Sequence, residues 1–425
     1  MYCVNYEGLG IVPANLLLPA AHVPATTWAC VACDQYTSQP EYWKETELQV
    51  GANPSCLKLV LPECYLPETV QRVPLIHQEM ARYMADGTLT QQVTEGFVLV
   101  ERSTASGQRL GLVCAVDLEQ YDFTGKKSLI RPTEETITAR LPARLAIRRG
   151  APLESSHILL LMDDPMQSVV EPLYEKRGEL PLLYDFGLMQ GGGHLRGWAV
   201  TDGESMSGIR HALGALKARL GADPLLFAVG DGNHSLATAK AYWNEIKATL
   251  TPEQQENHPA RFAMVEVENI HDDALAFEPI HRVITGVDGQ ALMQDWTLYC
   301  REHGMELCET TGNGEKEQIV TVICGGHEFT AAIANPDGPL PVATLQRYLD
   351  HFLARHPEAE IDYIHGDDVV RRLAAAPDAI GFLLPPLDKS AFFGAIDTLG
   401  ILPRKTFSMG HAHEKRFYME CRRIV

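Results

Sequence analysis

The chain has 425 residues, of which 45% are hydrophobic and 21% are charged, as in ordinary globular proteins. Its net charge of −19, with no basic patch, argues against a nucleic-acid or anionic-membrane partner. We find no apolar stretch of about eighteen residues and no signal-peptide pattern. Since the ten cysteines are scattered rather than grouped as in a disulfide framework, we expect a soluble cytoplasmic protein with reduced thiols.

Strand-like and helix-like segments alternate along the chain, which predicts a mixed α/β (α+β) fold. In the proline-rich and aromatic first 90 residues, a helical pattern covers Thr69–Met84. The apolar runs Phe97–Glu101 and Arg109–Asp117 flank Ser106-Gly107, as in a β-hairpin. The further elements predicted up to residue 247 are a helix at Ala143–Gly150, a buried strand at His157–Met162, a helix at Met206–Leu220, a strand at Leu225–Val229 and a helix at Leu236–Lys247.

The remainder of the chain continues this mixture. RFAMVEVENI predicts a strand, and QIVTVIC followed by HEFTAAIA predicts a hairpin. VATLQRYLDHFLARH indicates a helix, AIGFLLPP a buried strand, and KSAFFGAIDTLG a helix that stops at Gly400. We therefore expect three parts: a loop-rich segment packing on the core (1–90), a phosphate- or ligand-binding core (91–285) and a C-terminal α/β region (286–425).

The segment GDGNHS, between the strand Leu225–Val229 and the following helix, is the first candidate site. Free backbone N–H groups and the helix dipole favour an anion such as phosphate at a helix N-terminus. Gly230 and Gly232 let the backbone turn sharply and approach a ligand closely. The turn matches neither of the usual phosphate fingerprints, G-x-G-x-x-G and G-x-x-x-x-G-K-[ST].

The side chains of this turn carry suitable chemistry. Asn233 or Ser235 can cap the helix. His234 can donate to a phosphate or exchange a proton near neutral pH, and Asp231 can hold a metal ion or orient that histidine. An ordinary capped turn with a hydrogen-bonded surface histidine explains the same residues, so the turn alone leaves both interpretations open.

A second candidate is the polar turn IRPTEET. As a site, it would use Glu134 as general base for a hydroxyl nucleophile and Arg131 to bind a phosphate or carboxylate. The alternative is a helix start, because Thr133–Thr136 resembles capping chemistry.

Two further basic pairs are candidate ligand contacts. In FEPIHR, His281 and Arg282 follow a proline, and they either contact a ligand or form a buried ion pair with Glu278. In LPRKTF, Arg404 and Lys405 either bind an anion or belong to a solvated loop.

Cysteine and histidine pairs offer weaker metal signals. Cys30 and Cys33 form a lone C-x-x-C, whereas a zinc site needs about four ligands. A redox pair is possible, but two buried thiols in an apolar stretch explain the pattern better. His411 and His413 are followed by Glu414 and indicate an exposed hairpin tip rather than a metal site. No G-x-S-x-G is present, so an α/β-hydrolase is not supported.

FAVGDGNHSLATA resembles the DGHHR-type turn of domain-of-unknown-function family 1015. SLIRPTEET, RFAMVEVENI, FEPIHRVI, IDYIHGDD, GFLLPP and LPRKTFSMGHAHEKRFYME resemble other blocks of that family. The family is related to the ParB/sulfiredoxin-like superfamily, which includes a free serine kinase. The resemblance implies a ParB/sulfiredoxin-like core, a turn that meets ATP or ADP, and a pocket residue at Asp34. Ser235 stands where the relatives often carry arginine.

These observations lead to three functional hypotheses. The first is a nucleotide-dependent, kinase-like phosphotransferase acting on a small polar metabolite such as a hydroxy amino acid. Its turn would hold the phosphates of ATP or ADP, Glu134 would take the hydroxyl proton, His234 would take part in catalysis, and Asp231 would bind Mg²⁺. The second is a nucleotide-independent hydrolase or lyase with an anionic substrate, favoured by Ser235. The third is a nucleotide-binding regulatory module. The phosphotransferase hypothesis predicts that the two candidate turns, GDGNHS and IRPTEET, line one cleft.

Overall fold

The computed structural model describes residues 5–310 and 317–425. These residues form two compact units: unit 1 runs to Ala276 and includes Gly410–Val425, and unit 2 is Phe277–Met409. The division differs from the three expected parts, because strands from the first 90 residues join the same sheet as the core and the last residues return to unit 1. Within the described ranges, no helix has the length and apolar character needed to cross a membrane.

The strands of unit 1 build a mixed main sheet and two small ribbons. The strands up to Ala276 are β1 (Ile11–Val12), β2 (Ala14–Pro19), β3 (Cys30–Val31), β4 (Leu89–Thr104), β5 (Gly107–Asp117), β6 (Ile130–Arg131), β7 (Leu153–Glu154), β8 (Leu159–Met162), β9 (Leu182–Gly187), β10 (His194–Val200), β11 (Phe227–Asp231) and β12 (Phe262–Asn269). The main sheet has the order β6-β11-β8-β12-β5-β4-β10-β9, with β1 beside β5 and β2 beside β4. The β4–β5 pair confirms the predicted hairpin.

Helices of unit 1 confirm most of the predicted helical segments within a few residues. They are α1 (Ala25–Trp28), α2 (Pro40–Val50), α3 (Thr69–Ala85), α4 (Leu141–Arg148), α5 (Glu171–Glu175), α6 (Gly203–Ala218), α7 (Asn233–Lys247) and α8 (Pro252–Asn257). Local chemistry explains where they begin. Asp202, for example, caps α6 by accepting the Ser205 N–H at 2.8 Å.

The main sheet is buried on both faces. Successive side chains of a strand point to opposite faces, and along β4 Val98 and Val100 belong to one apolar cluster while Leu99 belongs to the other. The first cluster includes Met80 of α3, and the second includes Trp243 of α7. Helices on both sides of a mixed sheet confirm the α/β class.

Unit 2 has an antiparallel sheet with helices. Its elements are β13 (Phe277–Thr285), α9 (Gly289–Glu302), β14 (Glu306–Thr310), β15 (Glu317–Cys324), β16 (His327–Ala334), α10 (Pro341–Leu353), β17 (Glu360–His365), α11 (Asp367–Leu373), β18 (Ala379–Leu383), α12 (Lys389–Leu399) and β19 (Phe407–Met409). The strand order is β14-β16-β15-β18-β13-β17, with β19 beside β13. The predicted hairpin is β15–β16. The helix α12 ends, as predicted, at Gly400, whose φ is +80°.

The C-terminal segment, Gly410–Val425, belongs to unit 1. Its strands β20 (Phe417–Tyr418) and β21 (Arg422–Arg423) pair antiparallel with β3 and β7. The predicted exposed hairpin tip is wrong, because Glu414 is 2% exposed and accepts from the Ser106 hydroxyl at 2.6 Å. A short 3₁₀ helix, Ala412–Glu414, replaces the tip.

Candidate functional site

The glycine-bent turn joins β11 to α7. The pairing of β11 with β8 shifts register between Val229 and Asp231, so Gly230 lies at a bulge. Gly232 has φ +79°, and a Cβ there would lie 3.1 Å from Ile158 Cα. Only glycine adopts this conformation against a neighbouring backbone without strain. Gly232 therefore holds the turn in its shape, and Gly230 lies at the bulge just before it.

The cap of α7 differs from the prediction. Gly232 is the N-cap residue and supplies no side-chain hydrogen bond, and Asn233 is already the first helical residue. The Asn233 side chain turns inward instead, where its Oδ1 accepts the Thr133 N–H and its Nδ2 donates to Thr133 Oγ1, both at 3.1 Å. Ser235 is partly exposed in the first turn of α7. A helix start without a capping side chain leaves its amides suited to an anion.

Asp231 forms a largely buried ion pair with Lys415. Its Oδ1 accepts the Gly232 N–H at 2.9 Å, and its Oδ2 lies 3.1 Å from Lys415 Nζ. Burial alone would raise the pKa of Asp231, but the charges of Lys415 and His157 outweigh it and hold this pKa below its usual range. Both carboxylate oxygens of Asp231 are thus engaged by this chain.

A second polar group adjoins this ion pair. His157 Nδ1 lies 2.7 Å from the Tyr418 hydroxyl, which also accepts the Cys33 N–H at 3.2 Å. His157 Nε2 lies 3.6 Å from Asp34 Oδ2. The charge of His157 also acts on Asp231. Asp34, His157 and Tyr418 therefore form one polar cluster with the turn, and this cluster contains the predicted pocket residue Asp34.

His234 connects the turn to the second candidate segment. Its Nε2 accepts the Ile137 N–H at 3.2 Å, which assigns the ring proton to Nδ1. Burial, aided by the positive charges of Arg144 and Arg140, lowers the pKa of His234 to about 4. The ring is therefore neutral at pH 7. This favours a hydrogen-bond donor at Nδ1 over the predicted proton exchange near neutral pH.

The segment IRPTEET and the residue that follows it, Ile137, lie against the turn: Thr133 bonds to Asn233, and Ile137 bonds to His234. The predicted capping at Thr133–Thr136 does not occur, because Thr133 Oγ1 donates to the Val229 carbonyl at 2.6 Å. Arg131 is 3% exposed and donates to the backbone carbonyls of Ser128 and Asp223, each at 3.0 Å. These contacts favour a structural role for Arg131. Glu134, next to Thr133, is partly exposed.

Sequence reasoning missed several residues of this cluster: His157, Tyr418, Lys415, Arg140 and Arg144. Two signals were present. His157 directly precedes an apolar strand, and Glu414-Lys415-Arg416 directly precedes the apolar pair of β20. Charged side chains at strand ends are common, however, and neither pattern names a partner in the turn.

Comparison with known proteins assigns the chain to a family. Residues 11–352 of the 425 match the sequence profile of DUF1015, described as a protein of unknown function. The chain belongs to the DUF1015 family. No curated protein matches it.

Solved structures resemble this DUF1015 chain only distantly. A free serine kinase in complex with AMP shares 11% identity at a TM-score of 0.38, over 72% of this chain and 90% of the kinase chain. A conserved hypothetical protein from Pyrococcus furiosus shares 12% identity at a TM-score of 0.35, over 72% and 90% of the two chains. SbnI from Staphylococcus aureus, with a C-terminal truncation, shares 12% identity at a TM-score of 0.36, over 70% and 82%.

The other predicted anion ligands of this DUF1015 chain lie in unit 2. Of the two alternatives for His281 and Arg282, the buried ion pair with Glu278 does not form: Glu278 is exposed, while His281 lies 2.9 Å from Asp367 and accepts the Leu384 N–H. Arg282 is fully buried. Its guanidinium donates to Gln346 at 3.1 Å and to the Arg404 carbonyl at 3.2 Å. The Arg404 side chain lies 3.7 Å from Asp350. Lys405 has a left-handed backbone, with φ +57°.

The C-x-x-C of this DUF1015 chain consists of free thiols. Cys30 is buried and Cys33 is partly exposed, and burial raises the pKa of both thiols, that of Cys33 to about 12. Over the ranges that the structure describes, no group of three or more His, Cys, Asp or Glu side chains is arranged to hold a metal ion.

A buried charge network lies beside the cluster in this DUF1015 chain. Arg416 pairs with Glu266 at 2.6 Å and with Glu420 at 2.9 Å. Arg102 and Arg109 complete the charged lining of a cavity of about 10 Å³ there. This volume accommodates about one water molecule, so the cavity is too small for a metabolite.

Proposed function

We propose that this chain is a nucleotide-dependent phosphotransferase that binds phosphates at the turn Asp231–Ser235 and acts on the hydroxyl of a small polar metabolite, such as a hydroxy amino acid. One observation carries the proposal: the start of α7 has no capping side chain. Lys415 reaches the turn directly, and the charges of Arg140 and Arg144 act on His234.

Each part has a physical role in phosphate binding. The first amides of α7 and the positive end of its dipole attract an anion. His234, neutral at pH 7, donates from Nδ1 without adding charge. Lys415 supplies a positive charge beside the turn, and Arg140 and Arg144 add theirs at longer range, which favours a di- or triphosphate. Phosphoryl transfer depends mainly on such positioning and charge neutralisation.

The transfer step needs one proton acceptor, and Glu134 takes this role in the proposal. Thr133, its neighbour, is hydrogen-bonded to Asn233, which brings the Glu134 backbone beside the turn. The substrate hydroxyl gives its proton to Glu134 while its oxygen bonds to the terminal phosphorus of ATP or ADP. The bond from that phosphorus to the remaining nucleotide breaks, and the electron pair leaves with the nucleotide.

The described residues do not fit a resident Mg²⁺. Asp231, the predicted ligand, has one oxygen on the Gly232 N–H and the other on Lys415. Within the described ranges, Asp231 belongs to no group of three or more His, Cys, Asp or Glu side chains that could hold a metal ion. We therefore assign no step to a protein-bound metal ion.

A hydrolase or lyase that binds an anionic substrate at the same turn is the second candidate. The Asp231–Lys415 pair favours it, because this pair leaves the centre of the turn close to neutral and suits one carboxylate or monophosphate. Product formed without any nucleotide would select this candidate.

Ligand-induced stabilisation tests the proposal. We expect ATP, ADP and pyrophosphate to raise the unfolding temperature, whereas adenosine does not, because binding to the native state alone stabilises it. His234→Gln should reduce the shift, and His22→Gln, at an exposed histidine, should leave it unchanged. A wild-type protein that no phosphate compound stabilises would contradict the proposal.

A further inference from the structure

Lys415 contacts the turn from the C-terminal segment, far from it in the sequence. Its side chain is 10% exposed, and its Nζ lies 3.1 Å from Asp231 Oδ2. Its backbone is fixed on both sides. The Lys415 carbonyl accepts from Arg102 at 3.4 Å, and the next carbonyl, of Arg416, accepts the Ala32 N–H at 2.9 Å. The ammonium group is therefore held at the turn by a firmly attached backbone.

Stability alone does not explain this buried pair. The cost of removing two charges from water often cancels their attraction, so apolar residues of similar volume serve a fold as well or better. An ammonium group has three donors, and Asp231 is the acceptor that Nζ meets within the described chain. The remaining donors suit an anion at the start of α7.

The other nearby cations are less suited to this role. Arg144 already forms an ion pair with Glu63, and Arg140 is exposed. Ser235 supplies no charge at the position where arginine was expected from the resemblance. Of these three cations, Lys415 is thus the buried one that contacts the turn.

We infer that Lys415 is the phosphate-binding cation of the Asp231–Ser235 turn and that Asp231 positions it. The inference rests on the proposed function. It assigns part of the binding site to the C-terminal segment Gly410–Val425, which lies beyond the family match of residues 11–352. The ligand class is a phosphate or diphosphate group, and inorganic pyrophosphate is the simplest probe.

The test compares two variants of the full chain by calorimetric titration with pyrophosphate and ADP. Lys415→Ala alone would leave Asp231 buried and unpaired, so Asp231→Asn serves as the reference and Asp231→Asn/Lys415→Met as the test variant. We expect the double variant to bind about 10- to 100-fold more weakly than the reference, the loss of one charge-assisted contact. Both should unfold cooperatively.

Arg423→Ala is the matched control, since Arg423 is an exposed cation of the same segment, and it should bind like the wild type. Equal affinities of the reference and the double variant would overturn the role of Lys415 and leave the proposed function standing. A wild-type chain that binds neither probe would overturn both.

Discussion

Thr133 and Asn233 are joined by two hydrogen bonds that link segments one hundred residues apart. The Asn233 amide accepts from the backbone of Thr133 and donates to its hydroxyl, and the pair is buried. The amide thereby fixes the start of α7 against the segment that carries Glu134. Both candidate turns thus lie side by side, as one shared site requires.

Asn233→Ala should destabilise the protein by about 1–3 kcal/mol, because it leaves the buried Thr133 N–H without its acceptor. Urea unfolding followed by circular dichroism measures the change. Asn257→Ala, at an exposed asparagine, should change stability by less than about 0.5 kcal/mol. Equal effects of the two variants would show that the link contributes nothing specific.

Gly232→Ala should cost about 1–2 kcal/mol for the left-handed backbone alone, and further energy because the new Cβ meets Ile158. We also expect weaker pyrophosphate binding, since the turn must shift. Gly178→Ala is the control, because a Cβ at Gly178 would meet no atom within 4 Å and the backbone there has no positive φ. A wild-type-like Gly232→Ala would mean that the turn tolerates another conformation.

His234 should make the stability depend on pH. A histidine in the unfolded chain has a pKa near 6.5, whereas burial lowers the pKa of His234 in the folded protein to about 4. Between these values the unfolded state binds more protons, so stability falls as the pH drops through this window and is retained above it. Urea unfolding of the wild type and His234→Gln at pH 7, 6, 5 and 4 should give a difference that changes in this direction. A constant difference would contradict the lowered pKa.

Arg416→Met should destabilise the protein by about 3–5 kcal/mol, because it leaves Glu266 and Glu420 buried without their cation. Replacing the three residues together, as Arg416→Met/Glu266→Gln/Glu420→Gln, should restore much of this loss. Chemical unfolding compares the two variants. A triple variant as unstable as the single one would show that packing around Arg416, rather than charge, accounts for the effect.

The sequence by itself determined the local elements. Apolar spacing predicted the hairpin β4–β5, the helices α3, α6 and α12, and the change from strand to helix around GDGNHS, because each depends on neighbouring residues and on burial of one face. It also predicted Asp231 and His234 as residues of one candidate site, to which the family resemblance added Asp34, and this site stays a prediction. The ParB/sulfiredoxin-like core and the catalytic role of Glu134 stay predictions.

Only the tertiary structure decided which partners these residues have. Asn233 is a plausible cap by its type, yet it turns inward because Thr133 offers a buried donor and acceptor. The pKa of His234 follows from burial near Arg140 and Arg144, and Lys415 reaches Asp231 because the chain returns to unit 1 at its C-terminal end. Such contacts join residues brought together by long-range packing, and that packing leaves no periodicity or spacing in the sequence.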